Sequence, residues 1–430
     1  MQDKSNSSSR RDFIKGSVVA GAAALSASSI AQAQSANETI TVGIMGANGR
    51  GSALARGFAD QANCEVSYIC DVDERAQGKG AAAVASRQSK APGKVGDFRT
   101  MLDDDSVDVL VVAAPDHWHA PATILGCAAG KHVYVEKPCS HNPHEGELAV
   151  AASKKYNKTV NMGNQRRSWP AIQEGIKKVH DGEIGEVFYS RGWYNNRRGP
   201  IGTGKVAATP SWLNFDLWQG PAPKQEYKDN LLHYNWHWFW NWGTGEIGNN
   251  GVHAIDVCRW GLQVDYPTQV VSSGGRLRYD DDQQTPDSHV ATFKFPGNKM
   301  ITWEGISWHP RGFEATSFGI SFHGTEGTLI IDGNGYKVYD MKNKLVEEKT
   351  GAGGDADHLT NFLSSIRNGE KPNSEIEEAH KSTLLCHLGN IAQRTSSNLK
   401  TNPENGHILK NEAAEQLWSR EYNSKWEPKV

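Results

Sequence analysis

A glycine-rich turn between a short strand and a helix constrains the fold of this chain more than any other feature. Residues 39–44 are rich in β-forming residues, Gly46-Ala47-Asn48-Gly49-Arg50-Gly51 follows, and a helical pattern continues through Phe58. A second β-rich run, residues 65–69, ends at Asp71. This order is typical of a dinucleotide-binding α/β domain, because the turn lets backbone N–H groups approach a pyrophosphate at the positive end of a helix.

The motif supplies the first candidate cofactor-binding residues, which are Gly46, Asn48, Gly49, Arg50, Gly51 and Asp71. Asp71 follows Gly46 by 25 residues, where a carboxylate can accept hydrogen bonds from the adenosine ribose and repel a 2′-phosphate. NAD is therefore predicted in preference to NADP, although Arg50 and Arg75 could offset the repulsion. Asn48 stands where the strict pattern has glycine, and we expect it to adopt a left-handed backbone conformation that asparagine tolerates.

The α/β alternation continues to about residue 165, and three predicted strands end in polar clusters. These clusters are residues 115–119, residues 136–138 and residues 163–167. The carboxyl ends of parallel strands meet at one crevice, so this edge adds Pro115, His119, Glu136, Lys137 and Gln165 as cofactor-binding candidates. A helix is predicted from Pro121 to Ala129. Beyond residue 168, many short β-like runs separated by turn pairs favour an antiparallel sheet.

Four motifs in this order resemble the Gfo/Idh/MocA family, the relatives of glucose–fructose oxidoreductase and inositol dehydrogenase. They are the glycine-rich turn, residues 115–119, residues 135–138, and Gly251-Val252-His253-Ala254-Ile255-Asp256. The resemblance implies an α/β Rossmann domain followed by an α+β domain with a large open, mostly antiparallel sheet. It also implies a nicotinamide cofactor and, most often, a sugar or cyclitol substrate. The expected boundaries are 38–165 for the first domain, 166–380 for the second, and 381–430 for a C-terminal helix and tail.

The resemblance assigns a catalytic role to Lys137, whose ammonium can stabilise negative charge on a reacting hydroxyl. His253 is the predicted general base, because imidazole titrates near neutral pH. Relatives commonly carry an aspartate four residues before this histidine, whereas this chain has Asn249. Asn249 can orient a hydroxyl or the histidine, but it cannot take a proton. Glu136 is expected either to orient Lys137 or the nicotinamide amide, or to be a buried structural acid.

The second half of the chain contains an unusual concentration of aromatic residues. Eight tryptophans fall between residues 193 and 260, and residues 233–242 alternate aromatic with polar side chains. Such faces suit the C–H surface and hydroxyl rim of a sugar, while a half-buried strand or a subunit interface is the alternative. The tentative substrate residues are Arg166, Trp236, His237 and Asp256. No metal is predicted, because the histidine pairs lack cysteine or acidic partners at ligand spacing.

The N-terminus predicts an export signal over residues 1–33. Ser9-Arg10-Arg11-Asp12-Phe13-Ile14-Lys15 precedes a weakly apolar stretch and the small-residue site Ala31-Gln32-Ala33. The signal predicts the twin-arginine machinery as a partner and a soluble periplasmic protein. The stretch is too short and polar to anchor the processed chain in a membrane. The net charge of −3, with no basic block, argues against nucleic acid as a partner.

These observations predict an exported NAD(P)-dependent oxidoreductase that acts on a hydroxyl or keto carbon of a sugar or glycoside. Because free NAD is scarce outside the cytoplasm, we expect a tightly held cofactor. One alternative is an NAD-dependent glycoside hydrolase that works by transient ring oxidation and elimination. Another is a non-catalytic carbohydrate-binding protein. A homo-oligomer is expected, since a wide exposed sheet face usually pairs with a copy of itself.

Overall fold

The computed structural model describes residues 38–430, and the predicted export signal lies outside them. The first domain alternates strands and helices. In chain order they are β1 (Ile40–Met45), α1 (Gly49–Ala59), β2 (Cys64–Cys70), α2 (Glu74–Val84), β3 (Gly93–Val95), α3 (Arg99–Leu102), β4 (Val109–Val112), α4 (Asp116–Ala128), β5 (His132–Val135), α5 (Pro143–Tyr156) and β6 (Val160–Met162).

The six strands of this domain form one parallel sheet in the order β3-β2-β1-β4-β5-β6. Strand β4 is buried along its whole length, as is typical of a strand covered by helices on both faces. The strand order reverses between β1 and β4, and ligands of such sheets bind at this point. The predicted Rossmann domain is therefore confirmed.

The second domain is built on a nine-stranded sheet in the order β14-β13-β12-β11-β7-β10-β9-β8-β15. Its pairs are antiparallel except for β7 with β10, so the predicted mostly antiparallel sheet is also confirmed. The elements are α6 (Pro170–His180), β7 (Val187–Asn195), α7 (Phe215–Gln219), α8 (Val252–Leu262), β8 (Gln269–Gly275), β9 (Ser288–Lys294), β10 (Met300–Ile306), β11 (Phe318–Gly324), β12 (Gly327–Asp332), β13 (Gly335–Asp340), β14 (Leu345–Lys349), α9 (Ala356–Asn368), α10 (Ile376–Arg394), β15 (Leu399–Lys400) and α11 (Glu412–Glu415).

Two helices of the C-terminal half connect the domains. Helix α10 contacts α5 of the first domain and α8 and β8 of the second, and α9 lies against α1. Residue 381, the expected start of a C-terminal segment, lies within the continuous helix α10. Within residues 38–430, no helix has both the length and the apolar character needed to cross a bilayer.

Two local predictions are wrong. Helix α4 begins at Asp116 rather than Pro121, and Asp116 lies in its first turn, where the helix dipole favours a carboxylate. The half-buried strand considered for residues 233–242 does not form. Asn235–Trp238 is instead a 3₁₀ helix, in which Nδ1 of His237 lies 2.6 Å from the Tyr234 carbonyl oxygen. Local side-chain bonds of this kind compete with a strand ladder.

Candidate active site

A cleft of about 680 Å³ runs along the carboxyl ends of the parallel strands and is closed on its far side by the second domain. Most of the residues predicted for the site line this cleft. They are Gly46, Asn48, Gly49, Arg50, Asp71, Pro115, His119, Glu136, Lys137, Gln165, Trp236, His237 and Asn249.

The glycine-rich turn is shaped by two close approaches. Gly46 has a φ of 86°, and a Cβ on it would lie 2.6 Å from the backbone nitrogen of Ala114. A Cβ on Gly51 would lie 1.6 Å from the Gly46 carbonyl oxygen, so Gly51 keeps the turn tight without lining the cleft. Asn48 has a φ of −76°, and the left-handed conformation expected for it is wrong. The turn tolerates asparagine there because this extended backbone suits any residue.

The cleft fits a dinucleotide by three features. The space around a Cβ on Gly49 is open, so the backbone at the start of α1 is bare toward the cleft. Asp71 accepts hydrogen bonds from the N–H groups of Ala47 (2.7 Å) and Asp73 (2.9 Å), and burial raises its pKa. Gln165 has a buried Oε1 without a hydrogen-bond partner, and this atom can bond to a polar group in the cleft.

The arginines that could have favoured NADP are both held by carboxylates. Arg50 donates from Nε to Glu136 (2.7 Å) and from both terminal nitrogens to Asp355 (2.7 and 2.9 Å). Arg75 forms a two-point ion pair with Asp73. A 2′-phosphate would have to compete with these acids, which favours NAD.

Lys137 is fixed where the loop after β5 meets the second domain. Its Nζ donates to the backbone carbonyl of Asn249 (2.8 Å) and to Oδ1 of the same residue (3.0 Å). Asn249 lies in a short π-helix, Ile247–Gly251. Burial lowers the pKa of Lys137, while the nearby Glu136 and Asp116 carboxylates oppose that shift. An ammonium has three donors, so one remains for a ligand.

Two histidines lie near this lysine. His237 lines the cleft, and its ring stacks on Trp236 with a centroid distance of 3.5 Å. Because Nδ1 faces a carbonyl that can only accept, the neutral ring carries its proton on Nδ1 and leaves Nε2 as an acceptor. Burial lowers the pKa of His237 to about 3, and the Lys137 charge acts in the same direction.

His253 is half-buried in the first turn of α8, and its Nδ1 is buried without a partner. Burial and the charge of Lys137 lower its pKa well below the usual range. His253 is not among the residues that line the cleft.

Two tentative substrate residues lie outside the cleft, and those predictions are corrected here. Asp256 is buried and accepts hydrogen bonds from Arg167 (2.8 and 2.9 Å) and from Ser382 (2.6 Å), since a buried guanidinium requires a carboxylate. Arg166 donates to the Gly333 carbonyl (2.7 Å), and its guanidinium packs over two aromatic rings.

Sequence reasoning missed several residues of the cleft and its walls. Asp116, which accepts from Thr244 Oγ1 (2.6 Å), was signalled by its place directly after Pro115. Asp355 and His233 had no local signal, because their partners Arg50 and Asp73 are distant in sequence. Within residues 38–430, no group of three or more histidine, cysteine or acidic side chains is placed to hold a metal ion.

Two family profiles together match most of the chain described above. The profile of the oxidoreductase family NAD-binding Rossmann fold matches residues 40–164, and that of the family's C-terminal alpha/beta domain matches residues 193–428. The chain belongs to the Gfo/Idh/MocA oxidoreductase family. It is an oxidoreductase-family protein whose first domain binds NAD. A twin-arginine translocation signal matches residues 7–27 and indicates export across the cytoplasmic membrane.

Two proteins that are similar to this chain in sequence carry names of different enzyme classes. A levoglucosan dehydrogenase of Pseudarthrobacter phenanthrenivorans is 32% identical over 61% of this chain and 64% of its own length. A glycosyl hydrolase family 109 protein of Saccharopolyspora erythraea is 29% identical over 53% of this chain and 56% of its own. The chain thus matches less than two thirds of the length of either relative.

Solved Gfo/Idh/MocA structures share the fold. A levoglucosan dehydrogenase in complex with NADH and levoglucosan has a TM-score of 0.66 at 16% identity, covering 84% of this chain and 99% of that one. The WlbA dehydrogenase from Bordetella pertussis in complex with NADH and UDP-GlcNAcA has a TM-score of 0.66 at 18% identity, covering 85% and 99%.

Proposed function

We propose that this protein is a periplasmic oxidoreductase that oxidises or reduces a hydroxyl or keto carbon of a sugar or glycoside with a tightly held NAD. The observation that carries the proposal is the arrangement at the catalytic end of the cleft. Lys137 lines the cleft together with the stacked rings of Trp236 and His237. Aromatic faces beside a hydrogen-bonding cation suit the apolar and polar sides of a sugar ring.

Oxidation of a secondary alcohol breaks one C–H and one O–H bond. NAD, when bound, supplies the acceptor for the hydride. The remaining donor of Lys137 bonds the reacting oxygen and stabilises its developing negative charge, while Asn249 fixes the lysine from behind. Nε2 of His237 is the acceptor assigned to the hydroxyl proton, because the bond at Nδ1 leaves it unprotonated, and since its low pKa makes it a weak base, Lys137 carries most of the stabilisation of the developing alkoxide. His253, the expected base, is the competing assignment.

The names of similar proteins support a carbohydrate substrate. Levoglucosan dehydrogenase is a relative in sequence, and solved neighbours hold levoglucosan or UDP-GlcNAcA together with NADH. Export of this chain explains why the cofactor should be held tightly, since an exported enzyme cannot draw on the cytoplasmic pool.

The test begins with protein matured in cells and purified without added nucleotide. Mass spectrometry of the denatured protein is expected to detect NAD, and incubation with a panel of sugars and glycosides is expected to yield a keto sugar. A protein that carries no nicotinamide nucleotide and cannot be loaded with one would overturn the proposal.

A second candidate is glycoside hydrolysis through transient ring oxidation, favoured by the similarity to a glycosyl hydrolase family 109 protein. The same lysine and histidine would serve, because oxidation of a ring hydroxyl acidifies the neighbouring C–H and permits elimination of the aglycone. Release of an aglycone with no net NADH would support hydrolysis, whereas an accumulated keto sugar supports the dehydrogenase.

The Lys137→Met variant separates both enzymes from a carbohydrate-binding protein. Loss of the ammonium is expected to lower turnover by about 10²–10³-fold, by analogy with removal of one donor to a developing oxyanion. NAD content measured by mass spectrometry should not change. If sugar binding is the only function, this variant behaves like the natural protein in every assay.

A further inference from the structure

A second cavity, of about 410 Å³, lies at the C-terminal end of the molecule. We call it the C-terminal cavity. It is bounded by the loop before α5, the loop that follows the 3₁₀ helix Asn235–Trp238, the last turns of α10, and the tail after α11. It shares no lining residue with the NAD cleft. The residues that carry the argument are His141, Trp240, Asn390, Arg394 and Arg420, which all line it.

Both guanidinium groups of this cavity lack a carboxylate partner in the part of the chain that the structure describes. Arg420 donates to Nδ1 of His141 (3.0 Å), to the carbonyl (3.0 Å) and Oδ1 (3.3 Å) of Asn241, and to the Glu421 carbonyl (3.4 Å). Arg394 lies over the ring of Trp240, with its Cζ 4.7 Å from the ring centroid. Burial lowers the pKa of Arg420, which is only partly exposed, whereas Arg394 presents its charge to solvent at the rim of the cavity. An anion in the cavity would give Arg394 a counterion and would offset part of the cost of burying Arg420.

No acid in the described part of the chain contacts either guanidinium, although the charge of Glu145 acts on Arg420. Glu145, whose charge is felt by Arg420, is buried and accepts from the backbone N–H of His141 (2.9 Å) and from Tyr422 (3.0 Å). Glu421 lines the cavity and is exposed to solvent. Arg394 has no acid in contact within the described residues.

Two buried polar atoms beside the guanidinium groups have no partner. An arginine can only donate, so Nδ1 of His141 accepts from Arg420 and the ring proton lies on Nε2, which is buried and unpaired. Asn390 donates from Nδ2 to the Thr244 carbonyl (2.8 Å), and its Oδ1 is buried and unpaired. Two residues that line the cavity therefore keep one unused donor and one unused acceptor just beneath its surface, where ligand hydroxyls would pair with them.

The geometry points to the C-terminal cavity as a binding site for a sugar that carries a carboxylate, of the uronic acid class. Arg394 would hold the carboxylate, because its planar guanidinium matches it with paired hydrogen bonds, and Arg420, whose nitrogens already bond to the protein, would add its charge. The ring hydroxyls would meet His141 and Asn390, and Trp240 would form an apolar wall for the C–H face. This site is independent of the chemistry proposed for the NAD cleft.

Calorimetric titration of the full mature protein with glucuronate tests the site. Saturable binding is expected, and Arg394→Gln should weaken it about tenfold, the usual worth of a hydrogen-bonded charge. Arg56→Gln, which removes an exposed arginine on α1, is the matched control and should bind like the natural protein. The Lys137→Met variant tests whether glucuronate binds in the NAD cleft instead. This variant should not change the measured affinity if glucuronate binds in the C-terminal cavity.

Titrations with inorganic sulfate and with glucose measure separately how much the charge and the sugar hydroxyls contribute to the affinity. Both should bind at least tenfold more weakly than glucuronate if charge and hydroxyls act together, and Trp240→Leu should weaken glucuronate without weakening sulfate. Absence of saturable glucuronate binding, or an unchanged affinity in Arg394→Gln, would overturn the proposal. Equal affinity for sulfate and glucuronate would also overturn it, since the site would then hold any anion.

Discussion

At position 249 a carboxamide replaces the acid that the resemblance leads one to expect. Asn249 contributes two oxygens to Lys137, its backbone carbonyl at 2.8 Å and Oδ1 at 3.0 Å. An aspartate there would pair with the ammonium and could also accept a proton. The asparagine fixes the same nitrogen without taking up charge, so the reacting proton must be received by another side chain.

Two matched substitutions identify that side chain. His237→Gln is expected to lower kcat by about 10²–10⁴-fold, because it removes the ring nitrogen that lies in the cleft wall as an acceptor. His253→Gln is expected to have a smaller effect, since His253 does not line the cleft. Steady-state kinetics of both variants with the same sugar provide the measurement. The assignment to His237 is wrong if His253→Gln causes the larger loss.

The residues that sequence predicted best are those whose role depends on neighbours along the chain. The turn at Gly46, the acid at Asp71 and Lys137 all follow a strand directly, so local patterns place them at the cleft. The assignment of Asp256 to the substrate was not supported in this way, because its partner, the buried Arg167, comes from another element. No periodicity or spacing reveals such a pairing before the chain folds.

At the scale of elements, the long segment between β7 and α8 crosses from the second domain to the first. His233 lies 2.7 Å from the Asp73 carboxylate, and Trp212 stacks under the guanidinium of Arg75, with Cζ 3.3 Å from the ring centroid. Leu213 forms a bridge with Asp73. The segment thereby covers the adenosine end of the cleft beside Asp71, where it can slow the escape of the cofactor.

Loosening this contact should release the cofactor faster. Arg75→Gln removes the cation over Trp212, and we expect NADH to dissociate about threefold faster, as measured by a fluorescence chase. Arg87→Gln is the control, because Arg87 is an exposed arginine of the first domain that also pairs with an aspartate, Asp60 (2.9 Å). Equal release rates in the natural protein and both variants would show that the segment does not retain NADH.

The succession of strands and helices along the first domain was predictable, because alternation and turn residues report local structure. The start of α4 was not, because the polar run at residues 116–119 is stabilised by the second domain. Nε1 of Trp118 donates to the Trp218 carbonyl (3.0 Å), and Asp116 accepts from Thr244. The sequence pattern of this segment alone predicts a loop at residues 116–119, whereas tertiary contacts extend the helix through them.

At the scale of the whole molecule, the outer face of the nine-stranded sheet exposes apolar side chains on adjacent strands. Val271, Val290 and Met300 share this face by register and are each more than a third exposed. We predict that a homo-oligomer covers them. Light scattering should give a multiple of the chain mass, and Val290→Lys should reduce it. A monomeric natural protein would contradict the prediction. Thr302→Lys, at a polar position on the same face, tests whether a lysine anywhere on this face is enough to reduce the measured mass.

Buried histidines predict how the stability of the protein depends on pH. Burial lowers the pKa of His117 and His387 to about 3 and of His358 and His380 to about 4, from a usual value of 6.5. The unfolded chain therefore binds more protons than the folded one below pH 6.5. Stability is complete above that pH and is lost as the pH falls toward 4, by about 1.4 kcal/mol per pH unit for each such histidine.

The free energy of unfolding, measured with urea between about pH 7.5 and pH 4.5, reports this loss. Its slope against pH should equal the summed contributions of the buried histidines. His387→Gln should reduce the slope by about 1.4 kcal/mol per pH unit. His309→Gln, which removes an exposed imidazole, should leave it unchanged. A flat stability profile from pH 6.5 to 4.5 in the natural protein would contradict this account.

The pairing of Arg50 with Asp355 has a consequence for the order in which the molecule can be completed. The arginine belongs to the nucleotide motif near the start of the chain, and its second carboxylate is synthesised 305 residues later. A fragment that ends after the sixth strand would contain the whole glycine motif but leave this guanidinium half neutralised. The nucleotide motif near the start of the chain is therefore completed by a carboxylate from its C-terminal half, and a fragment of the first domain alone would lack that partner.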